Sequence, residues 1–241
     1  MINHIEKLYL LWAKIHENRR HMETCHKRTP GLVSVCIPNY NKGKFIGDCL
    51  TAISYQTYED IEVVIVDDGS DDNSMAVIDK FIEDTKILST KIYLPFTIGA
   101  AWAQNMAYYL AKGEYVCNMD SDDICCPTRI EQQVEHLKAK DLDIVGSDFC
   151  FFEKVLPTKP VGMLEQTGSL QSKSSYCFGT LLMKYEVIEK TGGLTKEYIG
   201  SEDVSFIQKA LSLGFRAANI PELLYFYRNS STQRSKIFHF N

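Results

Sequence analysis

The chain reads LVSVCIPNYNKGKFIGDCLTAISYQTYEDIEVVIVDDGS over residues 32–70. The segment contains two short runs of β-branched and apolar residues, 33–37 and 61–66, which are typical of buried strands. Between them, over 43–55, apolar residues recur at three- and four-residue spacing, which predicts an amphipathic helix. A strand, a helix and a second strand of these lengths predict a parallel pair joined by a right-handed crossover.

The same alternation of strands and helices continues to residue 150 and weakens after it. Helices are predicted over 72–84, 100–112 and from Pro127, and strands over 91–94, 114–119 and 142–145. Beyond that point the patterns predict a loop or irregular β structure over 153–178, helices over 184–191 and 202–213, and strands near 216–219 and 223–227. We therefore expect an α/β fold with a mainly parallel central sheet flanked by helices. Ligands of such sheets bind outside the carboxyl ends of the strands.

The composition of the 241-residue chain is that of a globular protein, with 45% hydrophobic and 24% charged residues. Its formal net charge of −5 argues against a nucleic-acid-binding protein, because phosphate groups are bound by a basic face. The front of the chain differs from the rest, since residues 1–30 carry six basic and three acidic side chains. The first 30 residues are therefore considered separately.

Residues 1–28 predict an amphipathic helix. Its apolar face is formed by Ile5, Leu8, Tyr9, Trp12 and Ile15. This helix either packs on the domain or on a second subunit, or lies on a membrane surface or a partner protein. The sequence contains neither a bilayer-spanning stretch nor a secretory signal. We therefore expect a cytoplasmic protein, or one at the inner face of the membrane, whose eight cysteines are reduced and act as small buried apolar residues. The oligomeric state is not predicted.

Polar motifs follow three of the predicted strands. Pro38-Asn-Tyr-Asn41 follows the first strand, Asp67-Asp-Gly-Ser70 the second, and Asp120-Ser-Asp-Asp123 the fourth. Because the carboxyl ends of parallel strands share an edge, these motifs predict one binding site. Crowded carboxylates repel one another unless a cation compensates, and hard oxygen ligands suit Mn²⁺ or Mg²⁺. An acidic turn before the helix that begins near Pro127 explains the third motif equally well.

These motifs, in this order, resemble the signature of family 2 inverting glycosyltransferases of the GT-A fold. The resemblance rests on Val33–Asn41, Gln56–Tyr58, Val66–Ser70, Gly113–Val116 and Asp120–Asp123, and continues into Gly192–Leu194, Ser201–Asp203 and Tyr227-Arg228. It implies a GT-A (Rossmann-like) domain over 31–241, preceded by an N-terminal helical extension over 1–30. The domain would divide into a nucleotide-binding half over 31–125 and an acceptor-binding half over 126–241.

The resemblance also implies which residues bind the nucleotide. Pro38 and Tyr40 would hold the base, with Tyr40 stacked on its ring. Asp68 would form a hydrogen bond with the base, typically uracil. Gly99 and Arg228 would complete the nucleotide site, with Arg228 at the diphosphate.

Metal binding and catalysis are implied for a second group of residues. Asp122 would ligate the metal directly, and Asp120 would contact the ribose or the metal. Asp203 would be the general base that takes the proton of the acceptor hydroxyl, with Glu202 beside it as a second catalytic candidate. From the residues alone, an N-cap followed by acidic first-turn residues explains Ser201-Glu202-Asp203 better, and only the resemblance favours the catalytic role.

The sequence departs from the family pattern at three places. Thr97-Ile98-Gly99 stands where the family often has Asn-x-Gly. Gln104-Asn105 stands where it often has Arg-Asn, so a usual cation near the nucleotide is missing. Asn229 and Ser230 lie where a histidine is common.

The resemblance implies transfer of a sugar from a nucleotide diphosphate donor, a UDP-sugar, to a saccharide or lipid-linked saccharide acceptor. The reaction would require Mn²⁺ or Mg²⁺ and would serve the synthesis of cell-surface polysaccharide. Two other functions stay open. A sugar-nucleotide nucleotidyltransferase has similar needs, but the glycine-rich phosphate loop typical of it is missing after the first strand. A non-catalytic nucleotide-sugar-binding or assembly module fits the departures at Gln104 and Asn229.

Overall fold

The structure is a computed structural model that describes residues 28–152, 177–194 and 202–229, with residues 202 and 203 described by their backbone alone. The predicted N-terminal extension and the predicted loop over 153–178 lie almost wholly outside these residues. Both therefore stay predictions, as does the division of the domain into two halves.

Eight strands of the described residues form one mixed sheet. They are β1 (Thr29–Asn39), β2 (Ile61–Asp67), β3 (Leu88–Tyr93), β4 (Gly113–Asn118), β5 (Ile124–Cys125), β6 (Ile144–Phe152), β7 (Leu182–Lys184) and β8 (Ala217–Arg228). Their order is β3-β2-β1-β4-β7-β6-β8-β5. Strands β1 to β4 are parallel, and so are β6 and β8, whereas β7 and β5 run antiparallel to their neighbours. The predicted α/β fold with a mainly parallel sheet is confirmed.

Six α-helices of the described residues cover the sheet. They are α1 (Ile46–Ser54), α2 (Ser74–Asp84), α3 (Ala100–Leu110), α4 (Arg129–Ala139), α5 (Tyr185–Thr191) and α6 (Glu202–Ser212), and a 3₁₀ turn spans Phe178–Thr180. All six were predicted, but α4 begins two residues after Pro127, with Thr128 as its N-cap residue. Of these helices, none is both long and apolar enough to cross a membrane.

The core lies on both faces of the sheet because the strands alternate with a period of two. In β2, Val63 and Ile65 pack on the face covered by α1, α2 and α4. Val64 and Val66 pack on the opposite face, under α3, α5 and α6. All four side chains are fully buried, and each contributes about 1.5–3 kcal/mol by leaving water.

The two strands predicted near 216–219 and 223–227 are one strand, β8. Its register against β6 pairs Ser147 with Ile220 and Asp148 with Leu223, so Pro221 and the residue after it have no partner. This bulge explains why the alternation in the sequence breaks there. The sequence missed β5 and β7 because two and three residues are too few to show a period.

Candidate active site

The polar motifs that follow β2, β1 and β4 lie at one edge of the sheet, because these strands are parallel neighbours in that order. Asn39 at the end of β1 pairs in register with Asp67 at the end of β2. On the other side, β1 pairs with β4, which ends at Asn118. The topology therefore brings the first, second and fourth strand ends together, as the sequence predicted.

Asp67, the first residue of the Asp-Asp pair, is fully buried and holds the turn after β2. Its carboxylate accepts hydrogen bonds from Ser70 N (2.9 Å), Ser70 Oγ (2.7 Å) and Asn39 Nδ2 (2.7 Å). These contacts form an Asx turn and link the ends of β1 and β2. The role of Asp67 is therefore to fix the backbone on which Asp68 is presented.

Asp68, the predicted contact of the base, is 3% exposed and orders a second loop. Its carboxylate accepts hydrogen bonds from Thr97 Oγ1 (2.7 Å), Ile98 N (2.6 Å) and Gly99 N (2.9 Å). Thr97 thus supplies a side-chain donor at the place where the family often has asparagine. A carboxylate has about four acceptor sites, so these three contacts leave room for one more donor.

Tyr40, the predicted stacking residue, is 48% exposed at the same edge. The loop around it is nevertheless ordered, because Asn41 N donates to Ser70 Oγ (2.8 Å) and Asn41 Oδ1 accepts from Asp71 N (2.9 Å). Pro38, just before, is partly buried. An exposed ring on a fixed loop is suited to stacking on a base.

The acidic loop, residues 120–123, rests on its last carboxylate. Asp123 is buried and accepts hydrogen bonds from Tyr225 Oη (2.7 Å) and Arg228 N (2.8 Å). Burial raises the pKa of Asp123 well above its ordinary value, and repulsion from Asp120 and Asp122 adds to the shift. Asp123 therefore joins the loop to β8 and is not presented as a ligand.

The other two carboxylates of the acidic loop are more accessible. Asp122 Oδ2 lies 2.6 Å from Lys42 Nζ, and the two side chains are 14% and 18% exposed. Asp120 lies against the 3₁₀ turn, where a Cβ added to Gly179 would be 3.0 Å from Asp120 Oδ2 and 2.5 Å from Tyr225 Oη. Glycine at 179 therefore leaves space for the Asp120 carboxylate.

Arg228, predicted at the diphosphate, is buried beside the acidic loop. Its guanidinium donates to Asp48 Oδ2 (2.8 Å) and to the carbonyl oxygen of Asp122 (2.6 Å). It also lies over the rings of Phe45 and Phe152, at 4.7 Å and 4.5 Å. In this structure Arg228 fixes the backbone of the acidic loop, and its contact with a diphosphate stays a prediction.

The sequence analysis did not identify Arg129, yet its side chain holds the backbone next to the acidic loop. It is fully buried, and its Nη2 donates to the carbonyl oxygens of Asn118 (2.9 Å) and Gly179 (2.8 Å). Its Nε donates to Gln133 Oε1 (3.1 Å), and its guanidinium lies 4.9 Å from the ring of Tyr225. No carboxylate among residues 28–152, 177–194 and 204–229 forms an ion pair with it. The only sequence signal that pointed to Arg129 is its position two residues after Pro127, at the start of the predicted helix.

Gln104 departs from the family pattern and Asn105 follows it, and both side chains are buried. Gln104 Nε2 donates to Asn118 Oδ1 (3.3 Å), two residues before Asp120. Asn105 Nδ2 donates to Leu194 O (2.8 Å), and Leu194 N donates back to Asn105 Oδ1 (2.8 Å). Neither amide is presented as a nucleotide contact, because Gln104 holds the side chain of Asn118 and Asn105 holds the backbone of Leu194.

Glu202 and Asp203, the predicted catalytic residues, begin α6. Their side chains lie outside the described residues, so their chemical roles stay predictions. Phe206 of the same helix packs edge-to-face on Phe178 of the 3₁₀ turn, with ring centroids 6.0 Å apart. Positions 203 and 206 share a side of the helix because they are three residues apart. The backbone of α6 therefore places position 203 on the side that faces the turn beside Asp120.

The residues of the acidic loop fit a divalent cation that takes some of its ligands from the substrate. The ammonium group of Lys42 at Asp122 shows that this carboxylate accepts a cation at hydrogen-bond distance. In the part of the chain that the structure describes, no group of three His, Cys, Asp or Glu side chains could hold a metal ion by itself. A cation that binds one or two carboxylates and takes its remaining ligands from phosphates and water is typical of Mg²⁺ sites.

Comparison with known proteins identifies the family. The model of the family described as "Glycosyl transferase family 2" matches residues 34–191. The chain belongs to this family. It is 31% identical, over 206 residues, to the UDP-Glc:alpha-D-GlcNAc-diphosphoundecaprenol beta-1,3-glucosyltransferase WfaP of Escherichia coli. The match covers 82% of this chain and 77% of WfaP. The protein is a glycosyltransferase, which is the first of the three functions that the sequence left open.

Solved structures with the same architecture are glycosyltransferases of the GT-A fold. TarS residues 1–349 of S. aureus, in complex with UDP-GlcNAc, has a TM-score of 0.68 and 21% identity, over 87% of this chain and 62% of that chain. The mannosyltransferase PcManGT of Pyrobaculum calidifontis, in complex with GDP-Man and Mn²⁺, has a TM-score of 0.64 and 22% identity, over 84% of this chain and 57% of that chain. The chain thus spans less than two thirds of either solved chain. The predicted GT-A fold is confirmed.

Proposed function

We propose that the protein transfers a sugar from a UDP-sugar to a saccharide or lipid-linked saccharide, with inversion at the anomeric carbon and with Mn²⁺ or Mg²⁺. The observation that carries the proposal is the shared sheet edge that presents Tyr40, Asp68 and the acidic loop side by side. An exposed ring and a carboxylate with one acceptor site left match a nucleotide base, and a cation-binding carboxylate matches a diphosphate that is held through a divalent cation.

The donor is proposed to be a UDP-sugar. WfaP is named as an enzyme that uses UDP-Glc, and TarS was solved with UDP-GlcNAc. On this proposal Tyr40 stacks on uracil, Pro38 packs beside it, and Asp68 accepts a hydrogen bond from it. Gly99 lies in the loop that Asp68 orders, next to the same nucleotide.

The metal is proposed to be held by Asp122, with Asp120 at the metal or the ribose. A bound Mn²⁺ or Mg²⁺ would neutralise the charge of the departing diphosphate. Lys42 would give up its contact with Asp122 when the cation binds, because the two positive groups compete for one carboxylate. The Mn²⁺ complex of PcManGT supports a divalent cation in this fold.

Asp203 is proposed to be the general base, with Glu202 as its neighbour in the first turn of α6. Inversion requires the acceptor hydroxyl to attack from the side opposite the diphosphate, so its proton must be taken by a carboxylate across the donor sugar. The contact between Phe206 and Phe178 supports this role, because it turns the side of α6 that contains position 203 toward the acidic loop.

The acceptor is proposed to be a saccharide or a lipid-linked saccharide of polysaccharide synthesis. WfaP is named for a diphosphoundecaprenol-linked acceptor. For a lipid-linked acceptor, the basic amphipathic segment 1–28 would contact the inner face of the membrane. Flotation with anionic liposomes tests this step: deletion of residues 1–28 should abolish association, and unchanged association would reject it.

Transfer is tested with UDP-glucose and UDP-GlcNAc as donors and GlcNAc-diphosphoundecaprenol or free GlcNAc as acceptors. We expect UDP release that requires Mn²⁺ or Mg²⁺ and an acceptor, and a product whose anomeric configuration, read by NMR, is inverted. A retained configuration, or transfer in excess EDTA, would contradict the proposal. Metal-dependent UDP binding in calorimetry without transfer to any acceptor would instead support the non-catalytic binding module.

A further inference from the structure

Asn105 forms the pair of hydrogen bonds that connects α3 to the segment leading into α6. Its amide donates to Leu194 O and accepts from Leu194 N, both at 2.8 Å, across 89 positions of sequence. Both Asn105 and Leu194 are buried, so water does not replace either bond. Loss of the amide would leave two buried backbone groups without partners.

The turn that receives Asn105 is built from two glycines. Gly192 and Gly193 have φ values of +82° and +80°, which side-chain-bearing residues rarely adopt. A Cβ added to Gly193 would overlap Asn105 Oδ1, whereas one added to Gly192 would meet nothing within 4 Å. Glycine at position 193 therefore leaves the space that the side-chain amide of Asn105 occupies.

Leu194, which follows the two glycines of the turn, packs with α6. The side chain of Leu194 belongs to the buried cluster that includes Phe206 and Ile207 of that helix. Phe206 also contacts Phe178, next to Gly179 and Asp120. The placement of α6 against the acidic loop therefore depends on the turn at Leu194 and on this aromatic contact.

Helix α3 is itself fixed to the nucleotide side of the site. At its start, Ile98 N and Gly99 N donate to Asp68, and in its middle Gln104 donates to Asn118. Asn105 is the next residue of the same helix. One rigid helix therefore contacts the predicted base-binding carboxylate, the strand that leads to the acidic loop, and the turn before α6.

We propose that Asn105 is a positioning residue, which sets the distance between α6 and the donor side of the site and so places Asp203 at the attacking hydroxyl. It touches neither substrate nor metal and acts through the backbone of Leu194. The inference rests on the proposed function, because it takes Asp203 as the general base. Asn105 lies in the half of the chain that is proposed to bind the nucleotide, whereas Asp203 lies in the other half.

The test compares Asn105→Ala and Asn105→Asp with the wild type. Asn105→Asp keeps the acceptor for Leu194 N but sets a carboxylate oxygen against Leu194 O. We expect the kcat for transfer from UDP-GlcNAc or UDP-glucose to fall about 10- to 100-fold in both variants, because small misplacements of a base are costly. The Kd for UDP with Mn²⁺, measured by calorimetry, should change by less than about threefold.

Val187→Ala is the matched control, because Val187 is buried on α5 in the same cluster and its side chain is apolar. Its carbonyl oxygen, which accepts a hydrogen bond from Thr191, is kept in the variant. It should lower the thermal midpoint as much as Asn105→Ala while kcat falls by less than about threefold. If Val187→Ala reduced kcat as much as Asn105→Ala at an equal thermal midpoint, Asn105 would be merely structural and the inference would be wrong.

A double-mutant cycle with Asp203→Asn decides whether Asn105 acts through the base. In the Asp203→Asn background, Asn105→Ala should lower the residual rate by less than about threefold. An equal fractional loss in both backgrounds would overturn the inference. If Asp203→Asn left turnover unchanged, the general-base assignment of the proposed function would fail instead.

Amide hydrogen exchange tests the positioning role of Asn105 separately from the proposed function, because the measurement requires no turnover. Asn105→Ala should speed exchange about tenfold in Leu194 and α6, with β1 and β2 unchanged. Unchanged exchange in α6 would overturn the inference whatever the activity. Absence of UDP-sugar turnover in the wild type would overturn the proposed function and leave the exchange result to decide where Asn105 holds the helix.

Discussion

In the N-terminal half of the chain, residues 29–125, polar side chains at the sheet edge are held by groups of the same half. Asp67 is bound by Asn39 and Ser70, and Asp68 by the loop over 97–99. In the C-terminal half, residues 126–229, the corresponding contacts cross to the other half. They join Tyr225 to Asp123, Arg228 to Asp48, and Leu194 to Asn105.

Because of this difference, we expect the two halves to respond differently to substitutions. The nucleotide side is built from contacts within the N-terminal half and should keep its shape when the C-terminal half is altered. The C-terminal half is positioned by its contacts with the N-terminal half, so changes there should affect transfer more than nucleotide binding. The acidic loop belongs to both halves, since its chain follows β4 but its buried carboxylate is bound by β8.

The largest effect is expected at the acidic loop. Asp122→Ala should lower metal-dependent transfer about 1,000-fold, because several kcal/mol of charge stabilisation depends on this ligand. Calorimetry should show UDP binding that no longer responds to Mn²⁺. Asp71→Asn, an exposed carboxylate of the turn after β2, is the control and should leave both properties unchanged. Metal-dependent transfer by Asp122→Ala within about tenfold of wild type would contradict the assignment.

A smaller effect, on stability, tests the contact between the halves. Asp123→Ala should lower the free energy of unfolding by about 3 kcal/mol, because it leaves Tyr225 Oη and Arg228 N buried without an acceptor. Asp123→Asn keeps one acceptor and should cost less. Urea denaturation measures both variants. Equal stability of Asp123→Ala and wild type would mean that the loop and β8 are not held together by this carboxylate.

The sequence predicted the N-terminal half well because its signals are local. Strands β1, β2 and β4 are short apolar runs, the helices between them show helical spacing, and the polar motifs lie where the strands end. Parallel topology then places Asp68 and Asp122 at one edge without further information. The division of labour between Asp67 and Asp68 could not be predicted, because adjacent carboxylates look alike until their donors are known.

The C-terminal half was predicted less well because its contacts are long-range. Arg129 reads as an ordinary first-turn residue of α4, and only the structure shows its guanidinium beneath Gly179. Asn105 and Leu194 are 89 positions apart, and no periodicity relates them. The resemblance to the family named the motif Gly192–Leu194 but gave no reason for it, whereas the overlap at Gly193 supplies one.

Two glycines of the N-terminal half, Gly69 and Gly99, both have positive φ but differ in their surroundings, and they test the loop that Asp68 orders. Gly69 has φ +76°, and a Cβ there would lie 2.7 Å from the carbonyl carbon of Phe96. Gly69→Ala should therefore cost about 2–3 kcal/mol, from strain and from overlap with backbone. Gly99 has φ +101° and ψ 148° with nothing within 4 Å of an added Cβ, so Gly99→Ala should cost about 1–2 kcal/mol, from strain alone. Equal losses in urea denaturation would contradict this account of the loop that Asp68 orders.

The smallest effect expected is a pH dependence at two carboxylates, one in each half. Burial opposes ionisation of Asp143, but hydrogen bonds from Arg216 N (2.8 Å) and Lys184 Nζ (2.8 Å) hold its pKa below the ordinary value. Burial likewise opposes ionisation of Asp72, but bonds from Ser74 and from Gly43 N hold its pKa low. A carboxyl whose pKa is lowered by folding stabilises the protein above the unfolded value of about 3.9.

That stabilisation disappears as the pH falls through the lowered pKa of the folded state. Asp143→Asn and Asp72→Asn should therefore be less stable than wild type at pH 7 and approach it below about pH 3. Urea denaturation between pH 7 and pH 2.5 measures the difference for each variant. Asp143 joins the starts of β6 and β8 to the end of β7. Asp72 bonds Ser74 at the start of α2 and Gly43 before α1. Because the contacts of Asp143 connect three strands, Asp143→Asn should show the larger difference. A difference that grew on acidification would reverse the sign of this linkage. A larger difference for Asp72→Asn would mean that the contacts of Asp143 among three strands stabilise the fold less than those of Asp72.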